Sequence, residues 1–404
     1  MMRIDGKTVL KNFGKALIAI LCAAAMLFVW VIVSLMLCMD NVNGQTYALI
    51  LLLGVILIEL AVIGALWGFI KKKAFFIPVC VCAGICIIAC GAVYGYQRYV
   101  DSIPTVGERE SLLASYSPYA ENTKAVELDD KSTLLMTDNL PVMDGATALY
   151  PVYAAFAKAV YPKEAIDNTA AGTPSKFDSG CLKCTSTTQA YKNIVTGDAD
   201  IIFAAMPSEE QKRFAEESGV TLSYTPIGRE AFVFFVNRKN PIENITAEQI
   251  QDIYSGKITK WDELGIKGFG SIKAFQRDEG SGSQTTLEKL MAGKSLMTPP
   301  KEDVIEGMGG IIKQTADYKN FKNAIGFSFR FYATEMVKDN KIKLLGIDGV
   351  YPDRQTIQDG TYPLASYFYA VTRSDADKSV LDLLDWITGE QGQKIVELTG
   401  YTPK

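Results

Sequence analysis

Apolar residues along this chain follow two regimes. Up to residue 97 they run together in three long blocks, 16–39, 47–70 and 74–97; beyond Lys131 they come in short runs separated by polar stretches. Each block reaches the roughly 20 apolar residues that a helix needs to cross a hydrocarbon core, so three membrane-spanning helices are expected. The breaks between them, Asp40 to Gly44 and Lys71 to Lys73, hold polar residues where the chain must meet water. Arg3, Lys7, Lys11 and Lys15 precede the first block and Lys71 to Lys73 the third, while the loop between the first two carries only Asp40. Cations at span ends stay cytoplasmic, which places the N-terminus inside and everything after residue 97 outside, in a multi-pass arrangement at the cell membrane and in contact with its lipid. The first block is too long, and too closely followed by two others, for a cleaved signal peptide. Ile87, Ile88, Ala89 and Cys90 have the outline of a lipobox, a lesser alternative inside a span. Glu59 stands mid-span, where a carboxyl is costly; a functional role and a protonated or helix-paired one both remain open.

Residues 98–131 are rich in Ser, Pro, Asp and Glu without a sustained period, and read as a linker, either a tether or an irregular packed extension. From 132 to 404 short apolar runs alternate with amphipathic stretches, the pattern of an α/β domain. About 270 residues exceed one core, so two lobes are expected: one from about 132–226 plus the C-terminal part, the other from about 237–325. A strand at Ser132–Met136 would lead through Asp144 to Thr147 into a helix from Leu149 to Val160. A strand at Cys181–Cys184 would lead through Thr185 to Thr188 into a helix past Ile194, then a strand at Ile201–Ala205. Ile227–Asn237 (IGREAFVFFVN) suits a strand passing between lobes. Thr246 and Gln249 form a capping box for a helix over 247–254 that Gly256 terminates; Trp261 reads as a packing anchor.

Charge and chemistry narrow the field. Of 41 Lys/Arg and 45 Asp/Glu, seven and three lie before residue 98, leaving 34 against 42 outside, a net of −8. So acidic a domain is poorly suited to nucleic acid, which is held by clustered cations. Histidine is absent, which removes His triads and His acid–base catalysis. Six of eight cysteines lie in the apolar blocks. Cys181 and Cys184 stand alone as C-x-x-C, and with no histidine to complete a zinc set they read as two small strand residues or a local disulfide. No metal or cofactor is implied.

The third loop-to-helix transition, Arg277-Asp278-Glu279-Gly280-Ser281-Gly282-Ser283, carries the most chemistry. Arg277 offers a planar fork of donors, the glycines allow close approach of backbone N–H groups, and Ser281 and Ser283 add hydroxyls at a positive helix end. A plain connector is the alternative.

These residues, with DGATALYPVYAAF (144–156), GDADIIFAAMP (197–207), IGREAFVFFVN, QIQDIYSGKITKW (249–261), AIGFSF (324–329) and LLDWITGEQGQKIV (383–396), resemble the substrate-binding proteins of phosphate ABC importers, a branch of the type II periplasmic-binding-protein fold. The resemblance runs from about Leu134 to Thr402 and leaves out the spans and linker. It implies two lobes joined by a hinge, and a small oxyanion, phosphate first, held at helix N-termini for an ABC permease. By position, Thr147 and Ala148 would contribute from the first loop, Ser186 or Thr187 from the second, and Arg277, Ser281, Gly282 and Ser283 from the third, with Glu279 orienting Arg277. The family's phosphate binders place an Asp at the end of the third strand, where it accepts a hydrogen bond from protonated phosphate. Ala205 stands there instead, so weaker exclusion of sulfate is expected, unless Asp138, Asp144 or Asp278 substitutes.

Two rivals differ in class. An anchored anion sensor, or a binder uncoupled from import, is favoured by retained spans. A phosphate-ester hydrolase using Ser281 or Ser283 would need a base other than histidine, and no G-x-S-x-G elbow is present. Binding without catalysis is therefore the expectation.

Overall fold

The computed structural model describes residues 6–40, 44–68, scattered positions within 77–95, and 106–167, 177–300, 303–305 and 321–404. The chain divides into two compact units, Met1–Ile103 and Pro104–Lys404.

In the first unit, α1 (Gly6–Asp40) and α2 (Gly44–Leu66) form a hairpin. Their apolar stretches, Leu10–Ser34 and Ala48–Leu66, are 25 and 19 residues long, enough by length and composition to cross a membrane. Trp30 Nε1 donates to the Ala48 carbonyl at 2.8 Å, and Lys15 lies over the Trp67 ring at 5.9 Å. Phe13, Phe28 and Ile58 point outward into solvent-exposed positions, where lipid rather than water would suit them. Oε2 of Glu59 is buried with no hydrogen-bond partner among the described residues. Lys71 to Lys73 and half of the third apolar block lie outside the described residues.

The second unit opens with α3 (Val106–Ala114), a helix within the expected linker. Leu113 and Tyr116 bury against the domain, so the described part of that segment packs rather than dangles. Then come β1 (Met143–Gly145), α4 (Tyr150–Val160), α5 (Lys163–Asp167), α6 (Thr187–Thr196), β2 (Ile201–Ala204), α7 (Glu209–Glu217) and β3 (Leu222–Asn237). The second half adds β4 (Asn244–Ile245), α8 (Ala247–Tyr254), β5 (Lys273–Ala274), β6 (Gln276–Arg277), α9 (Gly282–Leu290), β7 (Val304–Ile305) and β8 (Ala324–Phe329). It closes with β9 (Ile342–Leu344), β10 (Gly346–Ile347), α10 (Arg354–Gln358), β11 (Ala365–Arg373), α11 (Lys378–Thr388) and α12 (Glu390–Thr399).

One mixed sheet runs β1-β2-β11-β3-β8-β5, with β9 also on β3. Its long member is β3, 16 residues. The first half pairs with β11, ending at Ala231 opposite Ala365; the second half, from Phe232 opposite Phe329, pairs with β8 and β9. Two hydrophobic cores flank this crossing. On one side Tyr150, Tyr153, Phe156 and Phe203 pack edge-on, stacked or tilted; on the other Phe232, Phe234, Tyr254 and Phe327 pack edge-on or tilted. Each such ring is essentially fully buried, worth roughly 1.5–3 kcal/mol apiece. The mixed α/β architecture expected from the alternating pattern is therefore present, with a core on either side of the β3 crossing.

Two expected strands are absent. Residues 132–136 make no ladder; Met136 N donates to Val160 O and Thr133 N to the Gln391 side chain. The true strand is Met143–Gly145, parallel to Ile201–Phe203. At 181–184 only a single bridge, Met143 to Leu182, forms. Both segments have strand-like side chains but lie along the sheet's rim, where a partner exists for a residue or two. Trp261 is fully buried, its Nε1 donating to Asn323 O at 2.7 Å.

Candidate functional site

Three helix N-termini converge where the lobes meet, and local sequence explains each. The first loop leaves β1 at Gly145, where an added Cβ would lie 2.5 Å from the Phe203 carbonyl oxygen, so only glycine lets the strands approach. A 3₁₀ turn, Thr147–Leu149, then feeds α4, which has proline in its first turn. The Tyr401 hydroxyl donates to the Ala148 carbonyl and fixes this turn. The second loop is tied to the first by Asp144, a fully buried carboxylate accepting from Gly145 N, Thr185 N, Thr185 Oγ1 and Asn193 Nδ2 at 2.6–2.8 Å. Ser186, at φ +87° and ψ 164°, then occupies backbone space that is nearly glycine's alone before α6 begins at Thr187. Such a residue costs about 1–3 kcal/mol and persists only where its surroundings enforce it. The third loop turns at Gly280 (φ +75°), and Ser281 caps α9 by accepting from Gln284 N.

Ala148, Thr187 and Gly282, one residue from each of these helix starts, line a single pocket together with Ala205, Glu230 and Phe329. The gap is narrow, with about 10 Å³ available to the centre of a water molecule, room for roughly one water. Contacts across it explain the narrowness. A Cβ on Gly282 would sit 3.0 Å from Thr187 Oγ1; Gln211 Nε2 donates to Gly280 O at 3.0 Å; and Lys289 Nζ reaches the Met206 and Pro207 carbonyls at 3.3 and 3.2 Å.

The expected site residues divide as follows. Arg277 and Ser283 are not among the residues lining that pocket; Nε and Nη1 of Arg277 and Oγ of Ser283 are buried and have no hydrogen-bond partner among the described residues. Burial pushes the guanidinium's pKa down, against the nearby Asp278 and Tyr332. An unpaired buried guanidinium is costly, and the charge that would relieve it is an anion. Thr147 and Ser186 are half-buried, and Thr147 Oγ1 accepts from Arg109 Nε at 3.2 Å. Ser281 spends its oxygen on the cap. Glu279, expected to orient Arg277, lies exposed in the turn that Gly280 completes.

Sequence reading passed over two residues. Arg109, on α3, also donates through Nη2 to the Cys184 carbonyl, tying that helix to the rims of the first two loops; nothing in its neighbours signals this. Glu230 is 5% exposed, with Oε1 accepting from Ala231 N at 2.8 Å and Oε2 from Phe331 N at 3.2 Å. Burial pushes its carboxyl up from the usual 4.5 to about 7, against the Ala231 amide, Arg330 and the Phe331 amide. An acid inside the apolar run IGREAFVFFVN was its signal, submerged by the strand pattern.

Of the acids weighed as substitutes at Ala205, Asp138 and Asp278 are exposed and Asp144 is committed to four donors. Cys181 and Cys184 are free thiols, both pushed up by burial. Among the described residues no group of three or more His, Cys, Asp or Glu is placed to hold a metal ion.

With strand order and site in place, comparison with known proteins is informative. Residues 138–391 match the PBP superfamily domain, and the chain belongs to that superfamily. It is 29% identical over 213 residues to the phosphate-binding protein PstS of Bacillus subtilis, covering 52% of this chain and 68% of that protein. Against PstS of Borreliella burgdorferi the figures are 27% over 184 residues, 44% and 64%, so the chain spans about two thirds of the length of these relatives. A substrate-binding protein of Clostridium perfringens assigned to phosphate ABC transport, solved with bound phosphate, superposes with a TM-score of 0.51 at 23% identity, over 65% of this chain and 98% of that one. It shares the fold.

Proposed function

We propose that this protein captures a small oxyanion, inorganic phosphate first, on the outer face of the cell membrane and delivers it to an ABC permease, without catalysing a reaction. The observation that carries the proposal is the convergence of three helix starts, through Ala148, Thr187 and Gly282, on one pocket; Arg277, on the strand that leads into the third of them, supports it with a buried Nε and Nη1 that have no partner among the described residues. Oriented N–H groups and the positive ends of helix dipoles favour negative charge, and a guanidinium matches a tetrahedral oxyanion through two parallel bonds. That curated relatives are named phosphate-binding proteins supports phosphate over other anions. The N-terminal unit would hold the domain at the bilayer through α1, α2 and a third span over 74–97, with the N-terminus cytoplasmic and the lipid tails around the spans.

The test is calorimetry on the full-length protein in detergent. Wild type should bind phosphate, and Arg277→Ala should lose at least about 100-fold in affinity, as expected for deleting a charged partner of a buried anion, with an unchanged far-ultraviolet spectrum. Unaltered affinity in Arg277→Ala would remove the site assignment, and hydrolysis of a chromogenic phosphate ester would remove the binding-only reading.

A further inference from the structure

We propose that Glu230 is the residue by which this site tells a protonated oxyanion from a fully ionised one, its carboxylate accepting a hydrogen bond from the ligand's own O–H. The inference rests on the oxyanion reading above and adds the selectivity that Ala205 takes away.

Three observations carry it. Among the pocket-lining residues Glu230 is the one acid, sharing the cavity with Ala148, Thr187 and Gly282 at the three helix starts. It stands at the hinge: it is the last residue of β3 before Ala231 ends the pairing with β11 and Phe232 begins the pairing with β8. Ala204 pairs with Tyr369 of β11, and Glu230 pairs with Ser366 of that strand. Ala205 and Glu230 thus line one pocket from strands on either side of β11. Finally, its geometry is fixed and incomplete. Each carboxylate oxygen accepts one backbone N–H, which orients the group and leaves the second lone pair of each oxygen for a further donor.

The consequence is discrimination by an unpaired charge. A ligand bearing a proton, such as monohydrogen phosphate or arsenate, completes Glu230. Sulfate carries no proton near neutrality and would set an oxyanion against a buried carboxylate with nothing between. Sites built around a buried hydrogen bond reject the analogue lacking the partner by about 10⁴–10⁵. The discrimination must fade as the carboxyl itself takes up a proton. Arg330 and Tyr401 act on it electrostatically and Tyr367 lines the same pocket; guanidinium and phenol do not ordinarily titrate between pH 6 and 8, and the chain has no histidine.

The experiment is competition calorimetry on the full-length protein, with phosphate, arsenate and sulfate as probes at pH 8 and pH 6, for wild type and Glu230→Gln. At pH 8 wild type should bind phosphate and arsenate and exclude sulfate, and Glu230→Gln should bind phosphate more weakly while its phosphate-to-sulfate ratio collapses by about 100-fold or more. An unchanged ratio in Glu230→Gln, or equal phosphate and sulfate affinity in wild type at pH 8, overturns the inference while leaving oxyanion binding intact. Wild type that binds none of the three overturns the oxyanion reading and this inference with it. Should Glu230→Gln fail to fold, wild type alone decides: sulfate affinity should rise about tenfold from pH 8 to pH 6, and a flat sulfate profile refutes the role.

Discussion

Two buried charges dominate this molecule at the scale of single residues. Arg277 and Glu230 both sit where burial works against ionisation, and each has bonding capacity left over. For Glu230 this has a cost in stability that can be read from pH. Its carboxyl is raised from 4.5 to about 7 in the fold, so the folded state binds its proton more tightly than the unfolded chain. The stability it contributes is complete below pH 4.5 and is lost as the pH rises through 7. A shift of this size corresponds to about 3 kcal/mol. Wild type should therefore lose stability between pH 5 and 8 in urea titrations, and Glu230→Gln, which cannot ionise, should flatten that slope. An equally steep slope in the variant would mean that other groups set it.

Elements were legible to the extent that they carry their own signals. The helix Ala247–Tyr254 shows its full capping box, with Thr246 Oγ1 accepting from Gln249 N at 3.0 Å and Gln249 Oε1 accepting from Thr246 N at 2.9 Å. Thr246→Ala should cost about 1 kcal/mol, seen as a fall in Tm of about 2–4 °C with no change in ligand affinity. The loop-to-helix transitions at 147, 187 and 282 were readable because glycine, proline and hydroxyl residues mark them locally. What failed was whatever depends on distant partners. Leu134 and Leu135 look like a strand, yet the sheet begins at Met143, because only there does β2 offer a ladder. Glu279 next to Arg277 suggested an ion pair, yet a turn at Gly280 faces it to solvent, and the acid that lines the pocket lies 49 residues upstream of it on another element. Arg109 belongs to the same class: a helix in a stretch without periodicity, stabilised by contacts with loops that the sequence places far away.

The whole molecule combines two units of different chemistry: a hairpin of apolar helices and an α/β domain with cores of its own. Since Pro104–Lys404 holds both aromatic cores and all of the pocket, a chain beginning at residue 104 should fold and bind phosphate with the affinity of the full-length protein, as far-ultraviolet spectra and calorimetry would reveal. Loss of folding in that fragment would show that the N-terminal unit is part of the domain's stability. Finally, β3 pairs with β11 over its first half and with β8 and β9 over its second as one 16-residue strand, with a single register shift at Ile227. A pin joint needs a break in the chain's pairing, whereas this ribbon stays paired over its 16 residues and can spread small torsions along them. The gap should accordingly work as a leaf spring does, opening through modest angles and returning to the same seat, with the Glu230 carboxyl near the ribbon's midpoint.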